Sequence, residues 1–214
     1  MQHVSPSQAH VQPASSAPLG PQDQTAIDGL LAFWFSGPEP EAKWFKASDD
    51  FDVKIRGQYG DSVEKAREGG LDHWQGTPSG TVALLLLLDQ FPRNLYRGSG
   101  QSFASDARAL EVAIRAIAKG FDRKVPPLQQ VFFYLPLEHD ETLVSQVACV
   151  ALTEALLGRA DEAFVPLAEL FYAFALRHRD AILQFGRFPG RNAALERPST
   201  PEEQTYLADH PMGF

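Results

Sequence analysis

The sequence predicts an all-α fold, and three observations support this prediction. Apolar residues recur at spacings of three and four along most of the chain, as on one face of a helix. Gly or Pro marks the ends of most of these periodic segments. No segment shows a convincing strand pattern. We therefore expect seven to eight helices with short connections, packed antiparallel as αα-hairpins.

The first 22 residues differ in composition from the rest of the chain. They contain no Asp, Glu, Lys or Arg and consist largely of Ser, Pro, Gln and Ala. Such a segment cannot bury enough apolar surface to offset the entropy lost on ordering. We expect a disordered tail over residues 1–22 and a single helical domain over residues 23–214.

Capping residues and breakers set the expected bounds of each helix. Pro166 either kinks the seventh helix or marks its true first turn. The expected helices run from about Gln24 to Gly37, Ser48 to Gly69, Pro78 to Phe91, Ser105 to Gly120, Pro127 to Leu135, Glu138 to Leu157, Asp161 to Phe185, and onward from Ser199.

The apolar run from Val82 to Leu88 is open to two interpretations. Periodicity alone is compatible with a buried strand, but a Leu-rich run with few β-branched residues favours a helix. A helix that is apolar on all sides lies at the centre of a fold. The run is followed by Asp89, so it is too short to cross a bilayer.

Composition excludes several classes of function. The net charge of −8 opposes binding to a phosphate backbone, so we expect no nucleic-acid partner. We also expect no membrane partner and no cofactor. Because the N-terminus lacks a secretory signal pattern, we expect a cytoplasmic location. The single cysteine, Cys149, lies in an apolar helical stretch and is expected to be a buried hydrophobic residue.

The first candidate site is the segment from Leu135 to Glu141. A general acid–base pair is possible here, with His139 tuned by Glu138 or Glu141. The alternative is a structural histidine beside carboxylates that stabilise a helix N-terminus. A metal site is not expected, because no second histidine lies one helical turn away.

The second candidate is the segment Asp89-Gln90-Phe91-Pro92-Arg93-Asn94. Asp89 follows seven apolar residues, so it is expected at the edge of the core, where a carboxylate needs a cation and hydrogen bonds. Arg93 is the nearest candidate partner, although Pro92 interrupts simple helical geometry between them. The pair either stabilises a helix end or faces a cleft, and Asn94 belongs to the same candidate ligand-binding group.

The third candidate is the loop Gly186-Arg187-Phe188-Pro189-Gly190-Arg191-Asn192. Two guanidinium groups and free backbone N–H groups suit a carboxylate or a phosphate. We therefore place Arg187, Arg191 and Asn192 among the candidate ligand-binding residues. The alternative is that these arginines tie the C-terminal segment to acidic residues elsewhere in the fold. The aromatic groups around Trp34 and Phe132 are expected to belong to the core.

Several stretches, taken in order over about residues 27 to 209, resemble a known family. The resembling stretches are Leu31–Phe35, Trp44-Phe45, Phe51-Asp52, Leu88–Asn94, Phe103–Asp106, Phe133–His139, Gln146 and Arg187–Asn192. They resemble the domain-of-unknown-function family numbered 924, whose members have a tetratricopeptide-like helical fold. The sequence departs from the pattern at Gly190, where a larger residue is expected. The family has no established activity, so the resemblance implies the fold, with degenerate repeats, and marks the charged motifs as family features.

Three functional hypotheses remain open from the sequence. The first is a helical binding domain with a charged pocket for a small anionic molecule or a peptide. The second is a hydrolase-like enzyme in which His139 and Glu138 act on a substrate held by arginines. The third is a purely structural charged network in a protein-interaction scaffold. The second hypothesis predicts that motifs about a hundred residues apart converge on one pocket.

Overall fold

A computed structural model describes residues 19–37, 44, 48–210 and 213. Over these residues the protein is all-α, and no strand occurs among them. With one helix interrupted by a π-helical turn, the described ranges hold eight helices. They are α1 (Pro21–Phe35), α2 (Asp49–Arg67), α3 (Pro78–Leu85, continued by the π turn Leu86–Gln90 and the α-helical turn Phe91–Leu95), α4 (Asp106–Ala118), α5 (Pro127–Glu138), α6 (Leu143–Leu157), α7 (Val165–Phe185) and α8 (Pro201–Asp209).

The all-α prediction is confirmed, and the helix count over the described ranges agrees with the expected seven to eight. α1 begins at Pro21, so residues 21 and 22 belong to a helix rather than to the expected tail. Residues 1–18 of that tail lie outside the described residues. Pro166 lies in the first turn of α7, which decides between its two interpretations.

α3 is the central helix of the core, as its composition predicts. Residues 82–88 are buried on every side, and α3 packs against α1, α4 and α5. The helix does not end at Phe91-Pro92 as expected. Pro92 has no N–H to donate to the carbonyl of Leu88, and the hydroxyl of Ser105 donates to that carbonyl instead, at 2.6 Å. The π turn allows the chain to pass Pro92 and continue to Leu95.

The boundary between α5 and α6 differs from the prediction. Pro136 lies inside α5, which ends at Glu138, and His139 is its C-cap. α6 begins only at Leu143, with Thr142 as N-cap. Glu138 and His139 therefore lie at a helix C-terminus. The expectation that they occupy a helix N-terminus is wrong, because Pro136 is tolerated within the short helix instead of starting a new one.

The turn between α5 and α6 is held by one buried side chain. The Nε2 group of Gln146 donates to the carbonyls of Leu137 at 3.2 Å, Glu138 at 2.8 Å and Asp140 at 2.7 Å. These carbonyls lie at the C-terminal end of α5 and just beyond it, where no following helical N–H groups are available to them. Gln146 therefore fixes the backbone that carries the side chains of Glu138 and His139.

Candidate functional site

A cavity of about 330 Å³ lies where α3, α5, α7 and the loop after α7 meet. Its wall is largely aromatic, and its polar lining groups include two arginines and two histidines. The apolar lining residues are Trp44, Phe103, Phe132, Leu135, Phe171, Phe174 and Phe188. The polar ones are Gln90, Arg93, Glu138, His139, His178 and Arg191.

Asp89 lies in the π turn of α3 and is only 1% exposed. One oxygen, Oδ1, lies 2.7 Å from His139 Nδ1 and 3.2 Å from the Nη1 atom of Arg93. The Gln90 side chain also donates to this carboxylate. Burial opposes ionisation, but Arg93 and His139 hold the pKa of Asp89 well below its usual range. Asp89 is thus an ionised carboxylate that orients the imidazole of His139.

His139 is a neutral base at neutral pH. Burial and the nearby Arg93 lower its pKa, and Asp89 opposes this shift only in part. Because Asp89 is ionised, His139 donates its Nδ1–H to that carboxylate. The other ring nitrogen, Nε2, then carries the lone pair, and no hydrogen bond within the described ranges engages it. His139 lines the aromatic cavity and also a smaller polar cavity of about 170 Å³.

Two arginines form the cationic end of the cavity. Arg93 binds Asp106 through two hydrogen bonds of 3.0 and 2.9 Å and donates to the carbonyl of Asp89 at 2.5 Å. Arg191 donates to the carbonyl of His139 at 2.7 Å and lies 3.4 Å from Asp106. Its guanidinium carbon lies 4.7 Å from the ring centroids of both Phe103 and Phe188. Burial lowers the pKa of Arg191 to about 10, so it remains protonated at pH 7.

Glu138 is a buried carboxyl group without a cationic partner of the kind that Asp89 has. It is 5% exposed, and its neighbours are His178 Nδ1 at 3.5 Å and Cys149 Sγ at 3.9 Å. Burial, with Asp89 as a second cause, raises the pKa of Glu138 to about 8. It is therefore mostly protonated at pH 7 and can donate a hydrogen bond. We call Asp89, Arg93, Glu138, His139 and Arg191 the cavity cluster.

These features lie in a chain that matches a family model over residues 30–210, described as a bacterial protein of unknown function, DUF924. The chain belongs to the DUF924 family. A solved structure of a protein of unknown function from Agrobacterium tumefaciens is 36% identical, with a TM-score of 0.77. The match covers 87% of this chain and 98% of that one. No curated protein matches the chain.

The glycine at position 190 has a steric explanation. A Cβ atom added to Gly190 would lie 2.7 Å from the Cα of Gly213, closer than real Cβ contacts permit. Both glycines line the cavity. The small residue at position 190 therefore allows Gly213 to lie against it in the wall of the cavity.

Besides the buried Asp89, four predicted site residues do not line the aromatic cavity. Asn94 donates to Asp52 at 2.8 Å. The other three belong to a separate set of hydrogen bonds near the C-terminus, which we call the C-terminal network. Its members are Glu141, Arg187, Asn192, Arg197 and Glu203. Arg187 thus ties the loop after α7 to Glu203 of α8, an acidic residue within the C-terminal segment itself.

Sequence reasoning missed the wall that α7 contributes. Phe171, Phe174 and His178 line the cavity, and their spacings of three and four place them on one face of the helix. That spacing was visible in the sequence, but it is equally typical of core packing. The expectation that the aromatic groups belong to the core holds for Trp34 and Phe133, whereas Phe132 contributes to both the core and the cavity.

Proposed function

We propose that the cavity binds a small organic anion that has an apolar body. Arg93 and Arg191 would bind its carboxylate, with His139 beside them, and the aromatic wall would enclose the rest. The observation that carries this proposal is the convergence of two arginines, about a hundred residues apart in sequence, at one end of an aromatic cavity. The cavity volume of about 330 Å³ is within the range of small-molecule sites.

The distribution of charge supports an anionic ligand. The carboxylates that neutralise the arginines do not line the aromatic cavity: Asp89 is buried behind its wall, and Asp106 lines the smaller polar cavity. Glu138 does line it but is held neutral at pH 7. Among the described residues, the charged groups presented to a ligand are therefore guanidinium cations, which favour a carboxylate.

Calorimetric titration of 4-phenylbutanoate and of its neutral amide, 4-phenylbutanamide, tests this proposal. We expect the acid to bind more tightly than the amide. Arg191→Gln should weaken binding of the acid by about tenfold or more, because a charge-assisted hydrogen bond is lost. Arg187→Gln is the matched control, since it removes a cation from the same loop but outside the cavity. Equal affinity of acid and amide, or equal losses in the two variants, would contradict the proposal.

A second candidate function is hydrolysis, and the short Asp89–His139 contact favours it. In this reaction Nε2 of His139 takes a proton from water, whose oxygen attacks a carbonyl carbon of the substrate. The bond between that carbon and the leaving group then breaks, and Glu138, held protonated, gives its proton to the leaving group. His139 also lines the smaller polar cavity, which supports access of water to this residue.

Release of 4-nitrophenol from 4-nitrophenyl esters of dicarboxylic acids checks this second candidate. We expect His139→Asn to abolish the activity, because general-base catalysis contributes about a hundredfold or more. His73→Asn is the control, because His73 pairs with Asp23 away from the cavity. Hydrolysis that survives in His139→Asn would exclude this role.

The remaining features of the function are also proposals. We infer that the helix pairs form a degenerate tetratricopeptide-like arrangement, since each helix from α4 to α6 packs against the next helix in the chain. A cytoplasmic location and the absence of a nucleic-acid partner are supported by the net charge and the single buried cysteine. No described helix is long and apolar enough to cross a membrane.

A further inference from the structure

The carboxyl group of Glu138 stands apart from the other buried acids near the cavity. Each of those acids is paired with an arginine: Asp89 with Arg93, and Glu203 with Arg187. Among the described residues, no arginine or lysine pairs with Glu138. Its position at the last residue of α5 nevertheless places it in the cavity wall.

The neighbours of Glu138 leave hydrogen-bonding capacity on its carboxyl group. The thiol of Cys149, 3.9 Å away, is a weak donor. His178 Nδ1 lies 3.5 Å away, but its proton is directed to the carbonyl of Phe174 at 2.9 Å. A buried carboxyl group with two such distant neighbours is stabilised by a ligand that completes its hydrogen bonds.

We propose that Glu138 donates a hydrogen bond to a neutral oxygen acceptor of the ligand, so that the preferred ligands are oxo acids, with a carbonyl group as well as a carboxylate. This inference rests on the proposed function, because the carboxylate of the ligand is assigned to Arg93 and Arg191. An acid without the second oxygen does not supply an acceptor for the O–H of Glu138. The expected preference for the oxo acid is about tenfold.

The titratable groups around Glu138 keep their charge states over the pH range in which Glu138 ionises, so the effect of its protonation can be measured separately from theirs. Asp89 on α3 has a lowered pKa and stays ionised, and the pKa of Cys149 on α6 is raised well above its usual value. His139 and His178 have lowered pKa values and stay neutral above pH 7. Arg93 stays charged, and Arg191, with a pKa of about 10, stays largely charged at pH 9. Between pH 7 and pH 9, Glu138 is thus the group of this set that changes charge.

Three acids with the same aromatic body test the proposal by calorimetry: 4-phenylbutanoate, 4-oxo-4-phenylbutanoate and 2-oxo-4-phenylbutanoate. At pH 7 we expect one of the two oxo acids to bind about tenfold more tightly than the parent acid. At pH 9 the preference should disappear, because ionised Glu138 no longer donates. Glu138→Gln keeps a donor and should retain a preference at both pH values. Glu138→Leu should show none at either.

Asp140→Asn is the control, since Asp140 is a neighbouring carboxylate that does not line the aromatic cavity. It should leave the preference and its pH dependence unchanged. If 4-phenylbutanoate binds but neither oxo acid is preferred, or if the preference persists in Glu138→Leu, the role of Glu138 is wrong while the anion site stands. If none of the three acids binds, both the anion site and this inference are wrong.

Discussion

The cavity cluster and the C-terminal network both combine two arginines with two carboxyl groups, and they differ in what their carboxyl groups contact. In the C-terminal network, Glu203 accepts hydrogen bonds from Arg187 at 2.7 and 2.9 Å, Asn192 at 3.0 Å and the backbone of Thr200 at 2.8 Å. In the cavity cluster, the carboxyl group of Glu138 has no partner closer than 3.5 Å among the described residues. One carboxyl group is surrounded by donors, and the other faces a cavity.

This difference indicates that the C-terminal network mainly stabilises the fold, whereas the cavity cluster is arranged to bind a ligand. A buried carboxylate with a full set of donors stabilises the fold, because removal of a donor or an acceptor leaves unpaired groups. A buried carboxyl group with few partners costs stability once it ionises, and it is free to bind a ligand. The two glutamates should therefore respond in opposite directions to the same substitution by glutamine.

The largest expected effect is the pH dependence that Glu138→Gln removes. The pKa of Glu138 is about 8 in the folded protein against an ordinary value of 4.5, so folding retains a proton that the unfolded chain loses. This contribution to stability is complete below pH 4.5 and is lost as pH rises through 8. Relative to Glu138→Gln, the wild-type free energy of unfolding should fall by roughly 4 kcal/mol between pH 4 and pH 9.

Urea unfolding of both proteins at intervals across this pH range measures the effect. Since the comparison is between two proteins at each pH, contributions from all other titrating groups cancel when the sites do not interact. The glutamine variant should be the more stable protein at pH 9. A constant difference between the two proteins at all pH values would mean that Glu138 titrates like an ordinary carboxyl group and that the contrast with Glu203 is wrong.

The matching substitution in the C-terminal network, Glu203→Gln, should destabilise the protein by about 3 kcal/mol at pH 7. The amide NH₂ group of glutamine would face donors from Arg187, Asn192 and Thr200, and the charge that pairs with Arg187 would be lost. Arg187 holds the pKa of Glu203 at about 2, so the contribution is complete above pH 4.5 and is lost as pH falls through 2. Urea unfolding at pH 7 measures the loss.

Ligand affinity provides the second half of the Glu203 experiment. At a temperature where Glu203→Gln remains folded, its affinity for 4-phenylbutanoate should equal that of the wild type, because Glu203 does not line the cavity. A loss of affinity comparable with that of Arg191→Gln would show that the C-terminal network and the cavity cluster act as one unit. The distinction between a stabilising and a ligand-binding region would then fail.

The sequence was sufficient for the fold class because helical spacing and caps are local signals. The sequence predicts helix starts at Ser48 and from Ser199, and in the structure Ser48 and Thr200 accept the capping hydrogen bonds. The sequence does not predict how the helices continue at prolines. It predicts helix ends at Pro92 and Pro136, whereas a π turn accommodates Pro92 and a short helix accommodates Pro136. In both cases the tertiary packing outweighs the local preference of proline.

The candidate site was predictable only in part, for a geometric reason. The sequence places Arg187 and Arg191 in one candidate anion-binding loop, on either side of a Pro-Gly turn. The loop turns between them, so Arg191 lines the cavity and Arg187 pairs with Glu203. The partner of Asp89 was found at Arg93, but the contact with His139, 50 residues away, depends on how α3 packs against α5. Such long-range contacts have no local signal in the sequence.

A smaller effect, about 2 kcal/mol, is expected for Gln146→Met, which tests how the cavity cluster is held in place. Methionine fills a similar volume but leaves the carbonyls of Leu137, Glu138 and Asp140 without their side-chain donor. The substitution also removes the buried Oε1 atom of Gln146, which has no hydrogen-bond partner among the described residues. Its removal offsets part of the lost stability. Chemical unfolding at pH 7 measures the net change.

Gln130→Met is the matched control, because Gln130 is a buried glutamine at the other end of α5. Its side chain donates to the carbonyl of Val125 at 3.3 Å and accepts from Arg159 at 2.9 Å. Both variants should lose stability, but only Gln146→Met should also weaken the binding of 4-phenylbutanoate, because only Gln146 fixes the turn that carries His139. If both variants lower affinity equally, the cavity cluster depends on the whole of α5. If neither does, the turn is held by packing and Gln146 contributes to stability alone.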